Sequence, residues 1–391
     1  MRVNTRIAQR LKKIAPSSTL AITSKAKALK AQGRDIVNLS AGEPDFDTPQ
    51  PIKDAAIAAI ESGFTKYTPT TGIPELRELI SGKLKKDNHL EYAPEQIVVS
   101  CGAKHSIVNA VLALINRHDE VLVPLPYWVS YPEMVALAEG ESHFIKTLPE
   151  NNFKVTPEEL KKHINPKTKL FILNTPSNPT GCVYTKDELE KIAEICSAKK
   201  IFVLSDEIYE KLIYGGGRHI SIAGLNKDIY GLTLTVNGLS KSYSMTGWRI
   251  GYLAGPQDVV DAISNLQDHS TSNPCSISQK AAAAALRMPE EFLIGVRRQF
   301  EERMNYCVAR LKGMKKISCV PPQGAFYIFC DISRTGLDSG VFAERLLNES
   351  FVSLVPGKGF GADNFVRISF AAQAEQLQKG MDRLQSWLEK L

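Results

Sequence analysis

The chain reads as an α/β protein, with a large lobe built on a mainly parallel sheet and a smaller α+β lobe. Three observations predict this. From about residue 50 to 285, short apolar runs alternate with amphipathic stretches, as repeated strand–helix units do. Beyond that point, long charged amphipathic segments dominate and only two strand-like pieces separate them. At 391 residues the chain also exceeds what one simple core fills, so two lobes are expected.

The elements follow in order. The N-terminus, MRVNTRIAQRLKKIAPSST, is basic and amphipathic but has neither an apolar core nor a small-residue cleavage site. It reads as a short arm or helix on the body, with organelle or membrane targeting as the lesser alternative. Residues 36–40 resemble a strand ahead of the first parallel unit, which would let the N-terminal segment fold back onto the smaller lobe. Candidate strands of the large lobe are 96–100, 120–123, 169–173, 201–204, 232–236 and 250–254. Each is stopped by turn chemistry, such as Ser100-Cys101-Gly102, Asn174-Thr175-Pro176 or Asn237-Gly238. A helical pattern covers 107–114. Later come helices at 289–311, 338–349 and 374–391, and strands at 324–330 and 365–370. The expected organisation is 1–48 as an arm plus part of the small domain, 49–285 as the large domain and 286–391 as the small domain.

Composition narrows the function classes. The net charge of +6 arises from 48 basic residues scattered among 42 acidic ones, with no block of five like charges, so a nucleic-acid arm is not expected. No apolar run approaches the roughly 20 residues that span a bilayer. The seven cysteines are odd in number and never spaced C-x-x-C, as in a cytoplasmic protein with reduced thiols. The seven histidines form no H-x-x-x-H pair, and no metal is expected.

Chemistry concentrates at strand ends, where open α/β sheets bind ligands. Lys241 follows the run 232–236 in a small polar turn, eight residues ahead of Arg249. A lysine that attacks a carbonyl must lose its proton, and nearby cations at a strand end favour that loss from an ordinary pKa of about 10.4. Asp206 closes the run 201–204, with Tyr209 three residues on; it reads either as a structural cap or as a carboxylate offered to a ligand. Ser100 to Ser106 is a strand, a turn and a helix start, where the backbone N–H groups of Ala103 and Lys104 make an anion site, although many such turns bind nothing. Residues 174–181, NTPSNPTG, form a rigid loop in which Asn178 offers both a donor and an acceptor. Arg367, in VRIS, suits either a bidentate carboxylate clamp or an ordinary half-buried ion pair. Together a phosphate site, an imine-forming lysine, a carboxylate for a ring nitrogen, hydrogen-bonding Tyr and Asn, a stacking aromatic and a carboxylate-binding arginine describe a pyridoxal phosphate site. Two further features are discounted. Gly357-Lys358-Gly359-Phe360-Gly361 lacks the helix and acidic residue of a nucleotide loop, and Cys101 has no histidine and acid to activate it.

Several strings carry a family resemblance: SAGEPDFDTP (40–49), KYTPTTGIPELR (66–77), NTPSNPTG (174–181), SDEIY (205–209), SK to R (240–249) and PQGAFY (322–327). On these, in order from about residue 3 to the end, the chain resembles the class I/II aminotransferases of pyridoxal phosphate fold type I, and within them the aspartate aminotransferase subgroup of bacteria and thermophiles. The resemblance implies a three-layer α/β/α large lobe. It assigns Lys241 as the Schiff-base lysine and proton shuttle, and Asp206 as the partner of the ring nitrogen. Tyr209 and Asn178 would hold the ring oxygen, and Trp128 would stack on the ring. Ala103, Lys104 and Arg249 would hold the phosphate, with Tyr67 reaching in from a second subunit of a homodimer with shared sites. Arg367 would bind the substrate α-carboxylate, helped by Asn178 and the backbone at Gly42. One departure is Gly238, where many relatives place a phosphate-binding serine, and Ser240 is a candidate substitute.

Lys104 and Thr19 occupy positions that this subgroup associates with a distal carboxylate. The implied reaction is a ping-pong transfer between L-aspartate, or another dicarboxylic amino acid, and 2-oxoglutarate. Lys104 also reads as mere charge beside the phosphate. Prephenate as acceptor, an aromatic or alanine specificity, and more remotely a pyridoxal phosphate-dependent C–S lyase are the alternatives. A non-catalytic regulator would carry a DNA-binding segment for which the chain has no room.

Overall fold

The computed structural model describes residues 7–15 and 18–391, with side chains from 24 onward and at Ile22 within the first long helix. Its strands are, in chain order, β1 (Val37–Asn38), β2 (Ile97–Ser100), β3 (Glu120–Leu125), β4 (Glu141–Lys146), β5 (Thr168–Asn174), β6 (Phe202–Asp206), β7 (Thr233–Gly238) and β8 (Gly251–Ala254). The small lobe adds β9 (Ser318–Cys319), β10 (Tyr327–Asp331), β11 (Val352–Ser353), β12 (Val355–Pro356) and β13 (Phe365–Ser369).

The central sheet has seven strands in the order β2-β8-β7-β6-β5-β3-β4. β7, β6, β5, β3 and β4 run parallel, while β8 lies antiparallel between β7 and β2. The inner strands are apolar throughout because both faces are covered. Along β5, Leu170 and Ile172 point into one core, with Ile107, Val111 and Ile263 of the helices Ala103–Leu114 and Gln257–Asp268. Phe171 and Leu173 point into the opposite core, with Leu189 and Ile192 of the helix Lys186–Lys199. This alternation makes the three layers, and each such side chain contributes about 1.5–3 kcal/mol on full burial. A third core packs the helices Gln50–Glu61, Pro74–Asn88 and Ser276–Leu286 against β2 and β8.

In the small lobe, the antiparallel sheet β12-β13-β10-β9 is backed by the helices Glu290–Lys312, Ser339–Ser350 and Ala374–Leu388 around Phe300, Phe326, Ile328 and Phe342. β1 pairs with β11, Val37 opposite Val352, so chain preceding the large lobe is built into the small one. A 3-10 turn at Gln9–Lys13 precedes Ala15, whose N–H donates to Glu133 Oε2 at 2.9 Å and ties the arm to the body. The edge strand β4 and the helix Ser18–Ala31 were not legible in the sequence: β4 mixes charged and apolar residues, and the helix segregates them weakly. Among the described residues no helix is long and apolar enough to cross a membrane.

Candidate active site

The carboxyl ends of the large-lobe strands open onto a cavity of about 490 Å³, which Tyr327 and Arg367 of the small lobe also line. Lys241, just after β7, points its ammonium into it and donates to the Gly42 carbonyl at 2.6 Å. The ring centroids of Tyr209 and Phe326 lie 5.9 and 5.8 Å from Nζ. Burial, with Arg367 and Arg249 nearby, pulls the Lys241 pKa down to about 8, against the opposing pull of Glu43 and Asp206. The shift brings the neutral, nucleophilic amine closer to reach at neutral pH.

Asp206 is the last residue of β6 and is buried. Burial pushes its carboxyl up to about 6, although Tyr131 Oη donates to its Oδ2 at 2.6 Å and the Ile208 N–H to its Oδ1 at 3.3 Å. An ionised Asp206 here is short of positive charge, so a protonated heterocyclic nitrogen beside it is favoured. The Tyr209 and Tyr327 hydroxyls stand 2.9 Å apart. Asn174 holds the loop to the strand end: its Oδ1 accepts from the Asn178 N–H at 2.8 Å and its amide donates to the Asp206 carbonyl at 3.0 Å.

At the end of β2, Gly102 has φ 90°, a conformation that spares glycine a steric cost, and the helix Ala103–Leu114 begins there. The Gly102 carbonyl accepts from the N–H groups of His105 and Ser106, which leaves those of Ala103 and Lys104 at the open helix end. Arg249 reaches this end, donating to the carbonyls of Thr246 at 2.8 Å and Cys101 at 3.3 Å. A Cβ on Gly102 would meet Arg249 Nη2 at 2.6 Å, and one on Gly251 would meet the Ala103 nitrogen at 2.1 Å. Glycines thus keep open a cradle of N–H donors and a guanidinium that fits a phosphate group. Gly238 has its own packing reason: a Cβ there would lie 3.1 Å from Gly251 Cα and 3.2 Å from Ile208 Cδ1. Ser240 lines the cavity beside Lys241.

Arg367 comes from β13 and is buried. Its Nη1 donates to Asn178 Oδ1 and its Nη2 to the Ser40 carbonyl, both at 3.0 Å, while the guanidinium carbon lies 4.2 Å from the Tyr327 ring centroid. Its Nε finds no partner, and no carboxylate is among the charges that act on it within the described residues. Lys104 Nζ lies 4.9 Å from the Trp128 ring centroid at the cavity wall, its pKa lowered by burial and by Arg249.

Of the residues expected from the sequence, Lys241, Asp206, Tyr209, Asn178, Ala103, Lys104, Trp128, Arg249, Arg367 and Gly42 all line this one cavity. Tyr67 does not: its side chain is 91% exposed on the large-lobe surface. Thr19 lies in the helix Ser18–Ala31, but its side chain is outside the described residues. Tyr131, Tyr327, Asn174 and Glu43 were not anticipated. Tyr131 follows Trp128 by three residues, and Tyr327 ends one of the recognised strings, so both lay within reach of the motifs that were read.

The model of the family "Aminotransferase class I and II" matches residues 34–384. The chain is 48% identical over 389 residues to the aspartate aminotransferase of Geobacillus stearothermophilus, covering 98% of this chain and 99% of that one. It is 45% identical to the aspartate/prephenate aminotransferase of Cereibacter sphaeroides, covering 96% and 97%. The structure superposes on that of Thermus thermophilus aspartate aminotransferase with maleate at a TM-score of 0.94, with 42% identity and coverage of 97% and 99%.

Proposed function

The chain belongs to the class I and II aminotransferases, and on that footing we propose that it moves the amino group between L-aspartate and 2-oxoglutarate, giving oxaloacetate and L-glutamate. Such transaminases depend on pyridoxal 5′-phosphate, which when bound supplies a carbonyl carbon for the amino group and an electron-accepting ring. The observation that carries the reading is Arg367. A buried guanidinium without an acidic partner among the described residues, facing a lysine with a depressed pKa across one cavity, is poised to receive a carboxylate.

Each residue then has a task. The Ala103 and Lys104 N–H groups and Arg249 hold the phosphate in the glycine-walled cradle. Trp128 would offer its ring to stack on the cofactor, and Asp206, steadied by Tyr131, would keep the ring nitrogen protonated. Tyr209 hydrogen-bonds the ring oxygen, with the Asn178 amide as a second donor, since the Asn178 carbonyl oxygen already serves Arg367. Lys241 would hold the cofactor covalently and, once free, would take the proton from the substrate Cα and deliver it to the cofactor carbon that had been the carbonyl carbon, on the far side of the transferred nitrogen. Its hydrogen bond to the Gly42 carbonyl would be given up when the amine attaches the cofactor, leaving the Gly42 backbone to share in the carboxylate site.

Lys104, with Thr19, would recognise the distal carboxylate. Maleate in the Thermus thermophilus structure is itself a dicarboxylate. Lys104→Met is expected to lower kcat/KM for aspartate by about 1–3 kcal/mol, the worth of a charge-assisted contact, while changing that for alanine far less. Steady-state kinetics with both donors checks this, and an equal loss for both would make Lys104 a cofactor residue instead. The Cereibacter sphaeroides relative favours a second reading, with prephenate as an additional acceptor, because prephenate offers the same second carboxylate.

A homodimer with shared sites completes the reading. Tyr67 is exposed, as are Ile57 and Ile60 of the helix Gln50–Glu61, at 50% and 56%, and exposed apolar side chains on the large lobe suit a second copy that would receive Tyr67 at its phosphate cradle. The residue ranges 1–48, 49–285 and 286–391 serve as the arm, large domain and small domain of this scheme, in a cytoplasmic enzyme.

A further inference from the structure

Away from the cavity, two thiols face each other in the small-lobe sheet. Cys319 on β9 stands directly opposite Cys330 on β10 in antiparallel register. Directly opposed antiparallel residues have Cα atoms about 4.5 or 5.5 Å apart, and both spacings lie inside the range that a disulfide bridges. The pair differs in access. Cys330 is fully buried, whereas Cys319 is partly exposed and lines a surface hollow of about 430 Å³ together with Lys312, Lys315 and Arg334. Hydrogen bonding from Cys330 lowers the Cys319 pKa, with Lys312 adding to the effect; the same contact and burial raise that of Cys330.

We propose that Cys319 and Cys330 form a peroxide-sensitive thiol pair, in which Cys319 is oxidised first and Cys330 resolves it into a cross-strand disulfide. The Cys319 thiolate attacks one peroxide oxygen, the O–O bond breaks, and hydroxide leaves to take up a proton as water. Cys330 sulfur then attacks the Cys319 sulfur, the S–OH bond breaks, and the departing hydroxide takes the Cys330 proton as a second water. Two thiols lose two electrons in all, and one peroxide becomes two waters. The cationic hollow admits the oxidant and stabilises the attacking thiolate. Cys330 lies three residues along β10 from Tyr327, roughly 10 Å, so the bridge forms at a distance from the cavity.

The test is graded hydrogen peroxide on the cofactor-loaded enzyme, followed by alkylation of the remaining thiols and peptide mass spectrometry. The expected result is a 319–330 disulfide at doses that leave the buried Cys182, Cys196 and Cys307 reduced. In Cys330→Ser, Cys319 should instead accumulate as sulfenic and sulfinic acid. In Cys319→Ser, oxidation of Cys330 should slow by at least about tenfold. Both variants should keep basal transaminase activity, which verifies folding. If Cys319 and Cys330 stay reduced while the buried cysteines oxidise, or if Cys330 oxidises equally fast in Cys319→Ser, the proposal is overturned. The wild-type mapping decides the matter even if a variant does not fold.

Discussion

Lys241→Ala is expected to lower transamination of aspartate by at least about 10⁴-fold, because one amine both attaches the cofactor and carries the Cα proton. Cofactor should still bind, held by the cradle of Ala103, Lys104 and Arg249 and by the buried Asp206. The fold should persist, since among the described residues the Lys241 ammonium makes a single hydrogen bond, to Gly42, and its charge is disfavoured where it sits. Circular dichroism, cofactor titration and steady-state kinetics on the variant measure the three parts separately. Substantial remaining activity would remove Lys241 from the chemistry, whereas loss of folding would mean that the lysine is structural.

Arg367→Met should produce the second largest effect, a fall in kcat/KM for aspartate of about 10²–10⁴-fold, corresponding to about 3–5 kcal/mol for a buried charge left without its partner. The loss should extend to alanine and every other amino donor, because the guanidinium is assigned to the carboxylate they share. This separates it from Lys104, whose replacement should be felt by dicarboxylates. Arg367 is a buried cation with no acidic partner among the described residues, held by Asn178, the Ser40 carbonyl and the faces of Tyr327 and Phe360. Exchanging it for an apolar side chain of similar length should therefore leave the thermal midpoint of the ligand-free protein unchanged or raised. A large drop in that midpoint together with unchanged kinetics would make Arg367 a structural residue.

Much of this architecture was legible because the inner strands must be apolar on both faces. The runs at 169–173, 201–204 and 232–236 carry that pattern and end in turn residues, and the structure places β5, β6 and β7 within two residues of them. β4 escaped because an edge strand exposed to water needs no such run, and its sequence ESHFIK reads equally well as a loop. Lys241, Asp206, Asn178 and the helix start at Ala103 could be found one at a time, since each lies at or just beyond the end of a strand. What spacing could not supply was their partners. Tyr131 meets Asp206 across 75 residues and Tyr209 meets Tyr327 across 118, and only tertiary packing makes those contacts. Arg367 could have been an ion-pair residue until the structure surrounded it with neutral acceptors and an aromatic face. Cys319 and Cys330 likewise showed nothing in their spacing, because their opposition depends on the register between β9 and β10.

The central claim is that Lys241, Asp206 and Arg367 serve amino transfer from a dicarboxylic donor. The most direct measurement follows the absorbance of the bound cofactor as single amino acids are added without any acceptor. Rapid, stoichiometric loss of the starting absorbance with aspartate and glutamate, much slower loss with alanine and phenylalanine, and recovery on adding 2-oxoglutarate is the predicted result. Release of pyruvate or ammonia without recovery, or no cofactor absorbance after incubation with pyridoxal phosphate, would contradict it.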